Sequence, residues 1–271
     1  MKKIFLLSIT FCFVNQVNFC QTILEADGPG ETYELINSVF APGYNAVETP
    51  DCNHNDFGRH IDEVFDKELN KNVFRFHIHT APDNDRCKKF DRQRNEIKAY
   101  KQSPDNILAV EKEKIQYKWK FKLDKNFQPS SSFTHIHQIK AVGGSEASMP
   151  LFTLTVRKGS PDKLELRYAK NKSQVSLGKV ALEALKGQWV EVTETILFDD
   201  EKGKYEIKIT NLKTGKTIFK YKKNNIRTWK TDALFLRPKW GIYRSLKKST
   251  DLRDEQLLYA DFSITELKSK K

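Results

Sequence analysis

The chain has 271 residues, 47 Lys and Arg against 35 Asp and Glu, a formal charge of +12 and 38% hydrophobic content. That apolar share can bury a core, which excludes a disordered chain, and the length suits one large domain or two small ones. The positive surplus concentrates polyanions, whether nucleic acid, anionic lipid or acidic polysaccharide, so the compartment must choose among them.

Lys2 and Lys3 precede an apolar run over 4–14, and the segment closes on Asn18, Phe19, Cys20 and Gln21. Residues 1–20 therefore read as a secretory signal peptide cleaved before Gln21, too short to span a membrane. A lipoprotein acylated at Cys20 is the less favoured reading, because Phe19 stands where a small residue is usual. Cleavage removes two lysines and no acid, leaving a charge near +10. A secreted protein, extracellular or periplasmic, is expected, with no nucleic-acid partner and no stable membrane insertion. Cys12 and Cys20 lie in the leader, so Cys52 and Cys87 are expected to form a disulfide stabilising the fold by roughly 3–4 kcal/mol. The cluster Asp51, Cys52, Asn53, His54 lacks the second ligand pair a metal motif requires.

Along the mature chain a short helix is expected near 31–37, then a strand over 73–79 alternating Phe74, Phe76 and Ile78 with Arg75, His77 and His79. Strands follow at 91–100, 116–123, 133–141, 151–157 and 164–168, a second short helix near 180–185, and strands at 189–197, 205–211, 217–222, 234–243 and 258–264. Lys213, Thr214, Gly215 and Lys216 form a hairpin turn. Period-two alternation between turn signals makes the chain an all-β antiparallel sandwich or barrel, and without a linker residues 21–271 form one domain. Only the tail, 268–271, is a lysine-rich low-complexity block. Trp119, Trp189 and Trp240 take the apolar parity of their strands and are expected in the core, as is Trp229. Asp199, Asp200 and Glu201 read as a solvated turn, with a structural calcium ion as the alternative. The segment from Gly187 and Trp189 through the hairpin resembles the concanavalin-like jelly rolls.

Three strands place polar residues on one parity. Arg92, Arg94, Glu96 and Lys98 share one face of 91–100. Thr134, Ile136, Gln138 and Lys140 oppose Phe133, Ile139 and Ala141. Arg237, Lys239, Gly241 and Tyr243 oppose Leu236, Trp240 and Ile242. The ordered set Arg94-Asn95-Glu96-Ile97-Lys98, Gln138-Ile139-Lys140 and Lys239-Trp240-Gly241-Ile242-Tyr243 resembles the jelly-roll polysaccharide lyases of the alginate-lyase type. Their strands carry Arg-x-Glu-Leu-Arg, Gln-Ile-His and Lys-x-Gly-x-Tyr. Lys140 replaces the histidine, and a Lys/Tyr pair is closest to the ulvan lyases, which act on a sulfated polysaccharide rich in uronic acid.

The resemblance implies a jelly-roll lyase that cleaves a 4-linked uronate by β-elimination, with ulvan favoured, glucuronan or a heparin-like chain as alternatives, and no cofactor required. Gln138 and Arg94 would neutralise the carboxylate so that the C5 proton becomes acidic. Lys140 would accept that proton and Tyr243 would donate one to the leaving oxygen, or Tyr243 would do both. Arg92, Glu96, Lys98, Arg237, Lys239 and Arg244 are the substrate-binding candidates, Arg being suited to bidentate contact with sulfate or carboxylate. The His-x-His pairs, His77 with His79 and His135 with His137, are read as structural or substrate contacts; one of them could serve as base in place of Lys140. A metal-dependent cupin-like enzyme requires all four to converge. A monomer acting on an anionic polysaccharide is expected, and a non-catalytic carbohydrate-binding module is the rival from another class.

Overall fold

A computed structural model describes residues 21–267. The expected leader with Cys12 and Cys20, and the tail at 268–271, lie outside the described residues. In chain order the elements are β1 (Gln21–Leu24), α1 (Thr32–Phe40), β2 (Val47–Glu48), β3 (Ile61–Asp66), β4 (Lys71–Ile78), β5 (Arg92–Lys98), β6 (Lys114–Leu123), β7 (Thr134–Val142) and β8 (Phe152–Arg157). They continue with β9 (Lys163–Tyr168), β10 (Val175–Ala181), β11 (Val190–Leu197), β12 (Lys204–Asn211), β13 (Thr217–Asn224), β14 (Phe235–Ser245) and β15 (Glu255–Leu267).

One sheet runs β13-β12-β11-β6-β15-β4-β3, with β1 also paired to β15; the other runs β10-β9-β8-β7-β14-β5-β2. All strand pairs between these elements are antiparallel. Two such sheets bury their apolar parities against each other as a jelly-roll sandwich. β6 shows the pattern most simply: Ile115, Tyr117, Trp119, Phe121 and Leu123 are buried while the intervening residues are half-exposed. All four tryptophans are buried, and Trp240 packs its ring against Phe262 at 5.0 Å and Trp119 at 5.8 Å.

The helix expected near 180–185 is absent. Val180 and Ala181 end strand β10 and Leu182–Ala184 forms a single 3-10 turn. Here an edge strand with no buried residue left too weak an alternation to read. The expected disulfide is present, joining Cys52 to Cys87 across a separation of 35 residues. Asp199 caps its own turn, accepting the backbone N–H groups of Glu201 and Lys202 and the ammonium of Lys112, while Asp200 holds Arg227. The expected solvated turn holds for Asp200 and Glu201, which are exposed, whereas Asp199 is buried with its carboxylate committed to the turn's own backbone and Lys112.

Candidate active site

The three polar-faced strands are neighbours in one sheet, with β14 between β7 and β5. Register sets Tyr243 opposite Arg94 on one side and His135 on the other, Lys239 opposite Lys98 and Gln138, and Arg237 opposite Lys140. Their shared outer face floors a cleft of about 400 Å³. Arg92, Arg94, His135, Gln138, Lys140, Arg237, Lys239 and Tyr243 all line it, as do Glu48, Arg86, Phe133, Arg157 and Gln174.

Two local irregularities aim these side chains. At Gly241 the backbone has φ +139°, and a Cβ there would lie 2.1 Å from the Asn95 carbonyl oxygen, so no side chain fits between β14 and β5. The β14–β7 register shifts between Trp240 and Tyr243 at the same place. On β7 the register against β8 shifts between His135 and His137. Ile136 and His137 consequently both face the interior, and Phe133 and His135 join Gln138 and Lys140 in the cleft. Strict alternation had placed Thr134 and Ile136 on the cleft face and Phe133 on the other; the bulge reverses that assignment for the first half of the strand.

Tyr243 stands at the centre of the cation group. Arg92 donates from Nη1 to its phenol oxygen at 2.8 Å, and the Arg94 guanidinium lies 3.7 Å from the ring centroid. The His135 ring is 5.9 Å from that of Tyr243. His135 Nδ1 is 2.7 Å from Thr155 Oγ1, which in turn is 2.8 Å from Thr153 Oγ1. With Thr155 accepting from Nδ1, the Nε2 lone pair is left for the cleft; among the described residues that atom has no hydrogen-bond partner. Burial holds the imidazole neutral, taking its pKa down to about 3 against the pull of Glu96, with Arg157 and Arg94 assisting.

The floor is a network of buried ion pairs. Glu96 is fully buried and receives Arg94, Gln138 Nε2 and, at 2.6 Å, Lys239. Glu48 receives Lys239 at 2.6 Å and Lys98 at 2.7 Å, together with Arg86. Asp85 holds Arg94 through Nε at 2.9 Å and Nη2 at 3.2 Å. Burial raises the pKa of each of these carboxylates, but the surrounding cations outweigh it and hold all three below the usual carboxylate range. Arg94 therefore presents its face and its field to the cleft, with its fork turned to the floor.

Lys140 lies in the cleft but not beside Tyr243. Its ammonium donates to the carbonyls of Ala147 at 2.7 Å and Ser148 at 2.8 Å. Burial, then Lys239, Arg94 and Arg237, lower its pKa to about 8. It stands five positions along β7 from His135, on the order of 16 Å at strand spacing. Lys140 and Arg237 have no carboxylate partner among the described residues, and Arg237 is bonded only to the Ala99 carbonyl, at 2.9 Å.

Several sequence candidates stand elsewhere. Glu96 and Lys98 lie beneath the cleft surface, inside the ion-pair network. Arg244, on the opposite parity to Tyr243, is buried and bonded to Gln93 Oε1 and the Arg253 carbonyl. His137 is interior, 2.8 Å from Glu194 and 3.0 Å from the Lys239 carbonyl. His77 and His79 lie away from the cleft, His77 against Asp62 and His79 against Asp83. The four paired histidines thus do not converge. Sequence reading missed Glu48, Asp85, Arg86 and Arg157; none belongs to a motif strand, and no local signal marks them.

Residues 66–262 match the family model described as "Polysaccharide lyase". The chain belongs to the polysaccharide lyase family. No curated protein sequence matches it. Among solved structures it is similar to the endo-β-1,4-glucuronan lyase of the fungus Trichoderma reesei, at 17% identity and a TM-score of 0.54, covering 76% of this chain and 87% of that one. It is also similar to an alginate lyase Aly36B variant in complex with an alginate trisaccharide (12%, TM-score 0.58, 91% and 99%). The family-7 alginate lyase A1-II′ gives 14% identity and a TM-score of 0.54, with 82% and 94% covered. At these identities the likeness is one of fold. This polysaccharide lyase carries its cation-lined cleft on the outer face of β5, β14 and β7.

Proposed function

We propose that this lyase cleaves 4-linked glucuronate in an anionic polysaccharide by β-elimination, with Tyr243 as general acid, and that ulvan is its substrate. The observation that carries the reading is the Arg92–Tyr243–His135 constellation. Because Arg92 donates into the phenol oxygen at 2.8 Å, the phenol's own hydrogen is free to go to the leaving O4. The substrate carboxylate rests against Gln138 and in the field of Arg94 and Lys239, which stabilises the enediolate charge that develops when the C5 proton leaves. A glucuronate presents its C5 hydrogen and its O4 on one face of the ring, so acid and base must sit on one wall, as Tyr243 and His135 do.

His135, neutral and next to Tyr243, takes the role of proton acceptor, and the anionic substrate arriving beside it raises its basicity. Lys140 then serves as a positioning residue. It staples the loop at Ala147 and Ser148 into the cleft wall and, with Arg237, offers charge to an anionic group farther along the chain. Those two cations, without carboxylate partners among the described residues, favour a sulfated substrate. Glucuronan is the second reading, supported by the fold shared with the Trichoderma glucuronan lyase, a neighbouring carboxylate then taking the place of the sulfate.

The test offers ulvan, glucuronan, alginate and heparin to the purified protein while ultraviolet absorbance of the unsaturated product is followed. Turnover of ulvan above the rest is expected. Turnover of glucuronan alone removes the sulfate assignment, and turnover of alginate alone removes glucuronate. Inactivity on all four overturns the proposal.

A further inference from the structure

Outside the cleft, two loops meet beside the disulfide. One joins β2 to β3 and carries Asp51, His54, Phe57 and His60; the other joins β4 to β5 and carries His79 and Asp83. His54, His60, His79 and Asp83 bring one donor atom each to within 4.8 Å of one another. His54 Nδ1 is 2.9 Å and His60 Nε2 3.1 Å from Asp83 Oδ1, and His79 Nδ1 is 3.2 Å from Asp83 Oδ2. Tetrahedral zinc, with nitrogen ligands at roughly 2.0–2.1 Å, separates its donor atoms by about 3.4 Å. The three His–Asp83 contacts lie near that spacing, and the remaining donor pairs lie within 4.8 Å.

We infer that His54, His60, His79 and Asp83 form a structural zinc site. Three imidazoles and one carboxylate are a zinc donor set. The surroundings are those of a ligand cage. His60 Nδ1 donates to Asp51 Oδ1 at 2.7 Å and to the Gly58 carbonyl at 3.1 Å, which turns Nε2 toward Asp83, and Asp51 is itself fixed by the Tyr33 hydroxyl at 2.9 Å. With His60 Nδ1 turned to Asp51, its Nε2 faces Asp83, and a divalent cation at the centre of the cluster would take the nitrogen lone pairs and the Asp83 carboxylate together. Phe57 roofs the group, its ring 4.3 Å from that of His79, 4.8 Å from His60 and 5.3 Å from His54. His60 and Asp83 are buried. His54 and His79 are half-buried, and protein side chains supply all four donors, as in structural zinc sites.

Its consequence reaches the cleft through the second loop. Gln93 Nε2 donates to the Asp83 carbonyl at 2.9 Å, the Asn84 carbonyl accepts Arg94 N–H, and Asp85, two residues beyond the ligand, holds the Arg94 guanidinium. Zinc would fix the loop that orients Arg94.

The test uses the mature chain purified without a polyhistidine tag or chelator. Elemental analysis is expected to find one zinc per chain, and melting temperature to fall on chelation and recover with added zinc. His54→Ala with His79→Ala should abolish stoichiometric zinc, with circular dichroism confirming the fold. Should that variant not fold, Asp51→Asn keeps all four ligands and is expected to weaken zinc roughly 10–100-fold in competition with a chromophoric chelator. Zinc no higher in the wild type than in the double variant, a melting temperature indifferent to zinc, an affinity untouched by Asp51→Asn, or a different metal at one equivalent each overturns the assignment. None of these readouts depends on the identity of the polysaccharide.

Discussion

Tyr243→Phe removes one oxygen from the cleft and leaves the ring. The ring stays between the Arg94 guanidinium, 3.7 Å from its centroid, and Phe133 at 5.1 Å. The lost contact is the 2.8 Å bond from Arg92, whose Nε and Nη2 remain paired with Asp91 at 2.7 Å each. Arg92 is about a third exposed, so water replaces the phenol and folding stability should change by less than about 1 kcal/mol. Removal of a general acid costs roughly 10²–10⁴ in rate, or about 2.7–5.4 kcal/mol in the barrier. Turnover of ulvan, followed by product absorbance, is expected to fall by that factor in kcat while KM and polysaccharide affinity stay within a few fold. A variant that keeps kcat within tenfold of wild type refutes the acid role. A variant that loses affinity in parallel with kcat shows that the hydroxyl binds the substrate without protonating it.

The remaining expectations concern the walls and floor of the cleft. His135→Gln should lower kcat at least 10²-fold, whereas Lys140→Met should chiefly raise KM through the loosened loop at Ala147 and Ser148; steady-state kinetics with the reverse pattern return the base to Lys140. Glu48→Gln leaves Lys98 without its carboxylate and takes one of two from Lys239 and Arg86, and should cost about 3–5 kcal/mol in denaturant unfolding. Stability should also decline in acid. His135 is neutral in the fold down to about pH 3, so the unfolded chain binds its proton first from about pH 6.5 downward. The depressed carboxylates Glu48 and Glu96 then lose their contribution as pH falls below about 4.3, the unfolded value. Melting temperature against pH should therefore drop below pH 6.5, and His135→Gln should remove the upper part of that slope. Gly241→Ala, with a Cβ 2.1 Å from Asn95 O, should destabilise the protein and reduce kcat together, by displacing Tyr243. Cys52→Ser should cost roughly 3–4 kcal/mol, on the order of 10 °C in melting temperature; calorimetry unchanged within 2 °C contradicts this.

The sequence by itself determined the sheet architecture, the disulfide, the core tryptophans and the three strands whose cations face one way. These follow from alternation and composition, which are local: parity along a strand assigns a side chain to core or surface before any partner strand is known. It also put Tyr243, Gln138 and Arg92 on one face. Only the tertiary structure decided what these residues touch. The β7 bulge moved His135 into the cleft and left His137 inside, because a bulge depends on the partner strand's hydrogen bonds and writes no reliable pattern of its own. Register separated Lys140 from Tyr243 along the sheet. The carboxylates that tether the cleft cations come from Glu48 on a two-residue strand, from Asp85 in a loop and from Glu96 on a motif strand. The initial charge of +12 is thus partly a property of the unfolded list of residues: Arg94, Lys98 and Lys239 are paired in the floor, and Lys140 and Arg237 have no carboxylate partner among the described residues. The same is true of His54, His60, His79 and Asp83. They are scattered over 30 positions with no motif spacing, and loop convergence beside Cys52–Cys87 makes them a cluster.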